Sequence, residues 1–313
     1  MPVRYRRVTT GAATLLVLVV AQVLLAAGPA HAQNGGTVWV SNNKLVYAAP
    51  PNTALNVLID VIGKKIKISA FPATVIAGFG CVQVAGNAEC AVGSVTLVEA
   101  DTKDLNDTLG VRGTIDNADL SVIATGGSGE DFLWVSIDGS SSLAGGADDD
   151  ELQGGYGKDA LHGNGGDDVL RGEEGDDILV GGPGDDWLSG GSGTDLVSYE
   201  DHSDTVTADA DGAYGDDGEA GEADTILTDV ENLEGGRGDD RLSGGGSDDG
   251  LSGGEGDDTL IGFAGSDLLD GGPGVDRLLG DGESAGDERS DVDVCRLGAD
   301  GGVAIGCEVV ERR

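Results

Sequence analysis

The sequence predicts an all-β protein, most of it wound as a flattened coil of very short strands, and three observations carry that prediction. A nine-residue phrase recurs in phase through two blocks, 145–198 and 235–279. Glycine accounts for 57 of 313 residues and aromatic residues for only 4%, so the chain is rich in turning positions and too poor in large side chains for an ordinary core along its whole length. Outside the blocks, runs such as "TVWVSNNKLVYA" alternate apolar and polar residues with the period of a half-buried strand.

The first element in chain order is a leader, residues 1–32. Arg4, Arg6 and Arg7 precede an apolar run from Ala12 to Ala27, and Ala30-His31-Ala32 supplies the small residues of a cleavage site, so a secretory signal cut after Ala32 is expected. Gly28 and Pro29 end the run too early for a comfortable membrane anchor, and no span is expected after cleavage. Removing the three Arg takes the formal charge from −39 to −42. Residues 33–125 follow as a β-rich region with "KKIKISAF" and "CVQVAGNAEC" as further strand-like runs. It reads either as the start of the same coil, since "DLNDTLGV" at 104–111 echoes the repeat without its glycines, or as a small separate sandwich. Lys64, Lys65 and Lys67 read as an edge-protecting face.

The repeats occupy most of 126–286. From Gly145 the phrases are GGADDDELQ, GGYGKDALH, GNGGDDVLR, GEEGDDILV, GGPGDDWLS and GGSGTDLVS; from Gly235 they are GGRGDDRLS, GGGSDDGLS, GGEGDDTLI, GFAGSDLLD and GGPGVDRLL. In all eleven the first residue is Gly, the sixth Asp and the eighth aliphatic, which low complexity alone would not hold in phase. Six Gly-rich residues can turn sharply, and the remaining three can form a short strand with its middle side chain inward. Two units then bring the chain round once. The inward residues are Leu152, Leu161, Leu170, Leu179, Leu188 and Val197, then Leu242, Leu251, Leu260, Leu269 and Leu278.

Stacking such turns places sixth-position Asp residues, eighteen apart in sequence, about 4.8 Å from one another. Two unit charges at that separation repel by roughly 0.9 kcal/mol even in bulk water, so the ladder calls for counter-ions. Carboxylates and turn carbonyls are hard oxygen ligands suited to Ca²⁺, whereas the mature chain keeps only His162 and His202 for a nitrogen site.

The phrases resemble the G-G-x-G-x-D-x-U-x nonapeptide of the RTX (repeats-in-toxin, haemolysin-type) calcium-binding family, a motif known as a Ca²⁺-binding β-helix repeat. The resemblance implies a right-handed parallel β-roll, a β-solenoid with Ca²⁺ between consecutive turns and the sixth-position Asp among its ligands. Carried onto this chain, it implies the pairs Asp150–Asp168, Asp159–Asp177, Asp168–Asp186 and Asp177–Asp195, then Asp240–Asp258, Asp249–Asp267 and Asp258–Asp276, about seven sites. Two more candidate ligands are Asp131, in an isolated copy at 126–134 one residue out of phase, and Asp224, in the insert between the blocks. The acids at the fifth position are expected to be solvated charges beside the metal.

The insert, 199–234, has the length of four units without their pattern; strands near Val206 and Ile226 are expected to continue the stack around an acidic bulge, "GDDGEAGEAD". The end, 287–313, reads as two short strands about a Gly-rich turn that cap the roll. In an oxidising compartment the four Cys should pair. Cys81 with Cys90 and Cys295 with Cys307 are the local pairs, one of three possible connectivities.

With 18 Lys plus Arg against 57 Asp plus Glu, the chain offers no basic patch for nucleic acid. No H-E-x-x-H or Walker loop occurs, and G-x-S-x-G appears twice, around Ser252 and Ser284, without a following His for a hydrolase triad. The expectation is therefore a secreted, non-enzymatic calcium-binding module, structural or interacting with a cell-surface or matrix partner. The alternatives are an accessory subunit of an extracellular enzyme or adhesin, or a hydrolase with an unrecognised site. The toxins of the family carry a C-terminal export signal and no N-terminal one, so the expected leader sets this chain apart from them.

Overall fold

The computed structural model describes residues 5–10, 13–18, 34–62, 65–91, 95–114, 120–280 and 292–312, and among them there is no helix. Of residues 1–32, only Tyr5–Thr10 and Ala13–Leu18 are described, paired antiparallel. The cleavage position after Ala32 lies outside the described residues, as does Ser284.

The chain winds as a coil with a strand on each face of every turn. One face is a continuous sheet of fourteen strands; the other is formed by sheets of ten and six strands. Within the blocks, pairing is parallel with a register of eighteen residues: Leu143 lies beside Leu161, Leu161 beside Leu179 and Leu179 beside Val197 on one face. Leu152, Leu170 and Leu188 stack in the same way on the other. Each of the eleven predicted inward residues is buried, and together they form a single core that runs from Val38 to Leu297. The corners turn at the second and fourth positions, where Gly182 (φ 95°) and Gly184 (φ 153°) adopt backbone that L side chains avoid. Asn164 and Glu173 hold the second position at φ 80°, so the turn is kept there at a conformational cost.

Toward the N-terminus the same coil continues with longer turns. Leu133 pairs with Leu152 at a spacing of nineteen, Leu109 with Leu133 at twenty-four, and Val57 with Leu109 at fifty-two. The last interval holds an antiparallel excursion, Lys65–Phe71, Cys81–Val84 and Asn87–Ala91, with Cys81 bonded to Cys90. Lys44–Ala48 and Leu97–Asp104 on one face, and Asn56–Ile62 and Thr108–Thr114 on the other, are thus wound into the parallel stack itself, and antiparallel strands close its first end.

At the insert the two faces behave differently. The long sheet passes directly from Leu196–Ser198 to Asn232–Glu234. On the opposite face Thr225–Ile226 stacks on Trp187–Leu188, while Val206–Asp209 begins the six-stranded sheet beneath Arg241–Ser243. The sheet therefore splits between these strands. At the C-terminal end, Val294–Leu297 continues the long sheet with Cys295 at the inward place beside Leu269, bonded to Cys307.

Candidate metal centre

The turns carry a ladder of buried Asp carboxylates. In each of the seven expected pairs, the backbone N–H of the earlier Asp donates to Oδ1 of the later one. The distances are 2.7 Å for Asp150 to Asp168, 2.8 Å for Asp159 to Asp177, 2.8 Å for Asp168 to Asp186 and 2.9 Å for Asp177 to Asp195. In the second block they are 2.8 Å for Asp240 to Asp258, 3.0 Å for Asp249 to Asp267 and 3.2 Å for Asp258 to Asp276. The eighteen-residue register accounts for this: a sixth-position residue lies directly under its counterpart one turn later, and its carboxylate folds back into the preceding turn.

The second carboxylate oxygen has no such partner. Oδ2 is buried without a hydrogen bond in Asp131, Asp150, Asp159, Asp168, Asp177, Asp186, Asp195, Asp258, Asp267 and Asp276, as it is in Asp107. An ionised oxygen left so costs several kcal/mol unless a cation or proton meets it. These oxygens lie against the first-position glycines, which is why that position excludes a side chain. A Cβ on Gly163 would overlap Oδ2 of Asp168 and stand 2.5 Å from the Gly181 carbonyl oxygen; a Cβ on Gly126 would overlap Oδ2 of Asp131 and stand 2.6 Å from the carbonyl of Gly145. Carboxylate and carbonyl oxygens thus converge across Gly126, Gly154, Gly163, Gly172, Gly190 and Gly253.

Burial, followed by the charges of neighbouring acids, pushes Asp150, Asp177 and Asp258 up to about 7 and Asp186 up to about 8. Asp168 rises to about 7 through burial and the adjacent Asp149 and Asp167. Asp131, Asp195 and Asp267 rise to about 6, and Asp159, Asp240, Asp249 and Asp276 are also raised, each chiefly by burial. The buried ladder accordingly disfavours its own charge, and a cation would relieve that penalty.

Three candidate residues differ. Asp224 takes the ladder position after Asp186, whose N–H donates to its Oδ1 at 2.8 Å, but its Oδ2 accepts the Tyr199 hydroxyl at 2.9 Å. Asp240 Oδ2 accepts the Gly236 N–H at 2.7 Å, and Asp249 Oδ2 accepts the Gly245 N–H at 2.5 Å. All three flank or belong to the insert.

The ladder also extends beyond the repeats to residues that sequence reasoning missed. Asp107 accepts the Leu55 N–H at 2.5 Å and in turn donates to Asp131 at 2.7 Å; Asp131 donates to Asp150 at 2.7 Å. Asp293 accepts the Asp267 N–H at 3.0 Å, and Glu231 Oε2 accepts that of Asp195 at 2.9 Å. Each precedes an inward apolar residue by two positions (Leu109, Cys295, Leu233), and that acid-x-apolar spacing was the available signal. A cleft of about 370 Å³ on this edge is lined by Asp107, Asp131 and Asp150 together with Glu130 and Asp149. At Asp107 the first-position place is held by Thr102, whose hydroxyl donates to the carbonyls of Thr125 and Gly126.

The exposed fifth-position acids work in the opposite direction. Asp149 accepts the N–H of Asp167 at 2.9 Å, Asp167 that of Asp185 at 3.0 Å, and Asp239 that of Asp257 at 2.9 Å. They tie each turn to the following one while remaining in solvent.

No group of three or more His, Cys, Asp or Glu side chains converges among the described residues, so an ion here would depend on backbone carbonyls as well as carboxylates. The unpartnered Oδ2 atoms and their facing carbonyls form an all-oxygen donor set of the kind a hard divalent cation takes. Ser252 closes a short repeat strand, and His162 stands on a strand beside Ala144 and Val180.

Residues 135–206 and 228–278 match the RTX calcium-binding nonapeptide repeat in five overlapping segments. These parts of the chain are RTX repeats, and the all-β coil with parallel strands is the fold expected of them. No curated protein matches the chain. Among the described residues no helix is long and apolar enough to cross a membrane.

Proposed function

We propose that the RTX repeats make this chain a secreted calcium-binding module that becomes ordered when it meets Ca²⁺ outside the cell, and that it serves as a structural or interaction element without catalysis of its own. The observation that carries the reading is the row of buried Oδ2 atoms with no donor. When bound, Ca²⁺ supplies the positive charge that lets these carboxylates stay ionised in the interior.

The chain's own residues do the rest. Asp150, Asp159, Asp168, Asp177, Asp186 and Asp195 in the first block, and Asp258, Asp267 and Asp276 in the second, present Oδ2 to the ion while Oδ1 holds the preceding turn. Asp131 belongs with the first block, because its Oδ2 faces the Gly145 carbonyl as the repeat acids face theirs. First-position glycines leave the space, and fifth-position acids keep the turns in register. With a dissociation constant of roughly 0.1 mM per site and about 1 mM free Ca²⁺, each ion contributes roughly 1.4 kcal/mol, so seven contribute on the order of 10 kcal/mol, the size of a whole domain's stability.

Before export the same charges repel and keep the chain expanded; after it they become ligands, and ordering spreads because each turn is bonded to the next. The basic, apolar and small-residue regions of 1–32 support export, and the two disulfides fit an oxidising compartment. Native mass spectrometry of the protein in Ca²⁺, Mg²⁺ and Zn²⁺ tests the reading. Several bound Ca²⁺ ions and weak uptake of the other metals are expected; a protein that takes up no Ca²⁺ would refute it.

A further inference from the structure

The two repeat blocks meet at a place where the ladder is closed without an unpartnered oxygen. On one edge the first ladder ends at Asp224, and the next begins at Asp240, which accepts the Val206 N–H at 2.8 Å. Both oxygens of both carboxylates have donors: Asp186 N–H and the Tyr199 hydroxyl for Asp224, Val206 N–H and Gly236 N–H for Asp240. The acids further along each ladder, Asp186 and Asp258, keep a bare Oδ2.

Beside this junction lies His202, whose side chain is buried. Its Nδ1 is 3.0 Å from Asp201 Oδ1 and its Nε2 is 3.2 Å from Glu222 Oε2. Carboxylates only accept, so with one on each side both ring nitrogens donate, and the ring is an imidazolium. In agreement, hydrogen bonding to Asp201, against the opposing effect of burial and with further help from Glu222, pushes His202 up to about 9. The ring sits edge-on to Tyr199, 5.1 Å between centroids, and the His202 carbonyl accepts the Arg237 N–H at 3.2 Å. Burial raises Asp224 and Asp240, and the His202 charge pulls both back. The imidazolium thus packs against Tyr199, whose hydroxyl donates to Asp224, and its own carbonyl holds Arg237, the neighbour of the Gly236 whose N–H donates to Asp240.

We propose that the chain itself closes the step from Asp224 to Asp240, with the His202 imidazolium and the Tyr199 hydroxyl in the role that a metal ion takes within the blocks. The junction then orders without metal and divides the ion-binding roll into two units. This rests on the calcium-binding reading for the blocks but not for the junction. The split of the sheet falls at the same place: Thr225–Ile226 is held by the first block and Val206–Asp209 by the second, and the Tyr199–Asp224 bond joins the insert to the ladder.

Two measurements on the full mature chain test the proposal. In chelator, hydrogen exchange should show at least tenfold protection relative to the repeat strands at Asp209, Asp224 and Ile226, whose N–H groups are bonded within the insert, and His202→Ala should abolish it. In Ca²⁺, native mass spectrometry should give Asp224→Asn the same number of ions as the parent, whereas Asp168→Asn loses ions. Loss of an ion from Asp224→Asn, or a junction unprotected in the parent, would overturn the proposal. A parent that binds no Ca²⁺ would refute the reading of the blocks, and protection in chelator would still decide the junction. Should His202→Ala fail to fold, Tyr199→Phe removes one donor only and is expected to reduce the same protection.

Discussion

Replacing Gly163 by Ala isolates the requirement that the first repeat position carry no side chain. The new methyl would overlap Oδ2 of Asp168 and press against the Gly181 carbonyl at 2.5 Å, so the Asp168 carboxylate must swing out or the two turns must part. Swinging out leaves the Asp150 N–H without its 2.7 Å acceptor, at about 1–3 kcal/mol for a buried group; parting the turns instead costs about 1–3 kcal/mol of overpacking. By either route the expected cost is about 2 kcal/mol. Gly165, two residues on, is the control: its only neighbour to an added Cβ is the Pro183 carbonyl at 4.0 Å, and its φ is not in the left-handed range. Gly165→Ala should be neutral or stabilising by about 0.5 kcal/mol through the unfolded chain. Urea unfolding in saturating Ca²⁺, followed by circular dichroism, measures both. Variants within about 0.5 kcal/mol of one another would refute the close approach of Asp168 to Gly163, and with it the account of the ladder.

Other outcomes follow from the same geometry. Asp177 has ladder partners on both sides whereas Asp276 has only Asp258, so Asp177→Ala should lower the bound-ion count by about two and Asp276→Ala by about one; equal losses would count against pairing by eighteen. A carboxyl whose folded pKa is raised takes up a proton on folding, so without metal the roll should gain stability as pH falls from about 8 toward 4 and lose it as pH rises through about 7. Circular dichroism in chelator should then show more β-structure at pH 5 than at pH 8, and the reverse order would contradict the assignment. Glu173 adopts φ 80°, and Glu173→Gly should raise the unfolding free energy measured in urea by about 1 kcal/mol, before the loss of its bond to Gln153. N-terminal sequencing of exported protein should begin at Gln33, and an intact leader would argue against cleavage after Ala32.

Periodicity made the middle of the fold legible, because one residue in nine must point inward and Leu152 through Leu278 mark it. The eighteen-residue pairs follow from two units per turn. Asp107 and Asp293 were hidden, since neither sits in a Gly-rich turn; only the distance to Leu109 and Cys295 places them on the ladder. Nor does the sequence distinguish Asp224, Asp240 and Asp249 from the other acids. The donors that occupy their Oδ2 atoms are the Tyr199 hydroxyl, brought to Asp224 by the packing of the insert, and the N–H groups of Gly236 and Gly245 four residues before Asp240 and Asp249, an approach set by turn geometry and not by residue type. The fifth-position acids read as plain solvated charge, yet the same register that buries the sixth brings their oxygens to the next turn's N–H groups. The first end was ambiguous between sandwich and stack because alternation along a strand does not say whether its neighbour runs parallel.

The claim on which the rest depends is that, at neutral pH, the carboxylate ladders of the two blocks become ordered only when Ca²⁺ meets them. A Ca²⁺ titration of the mature chain from chelator, read by far-UV circular dichroism and hydrodynamic radius together, tests this most directly. The account predicts a cooperative gain of β-structure with a Hill coefficient clearly above one, accompanied by a large decrease in radius. A chain equally compact and equally β-rich in chelator, or one whose signal follows independent sites, would contradict it.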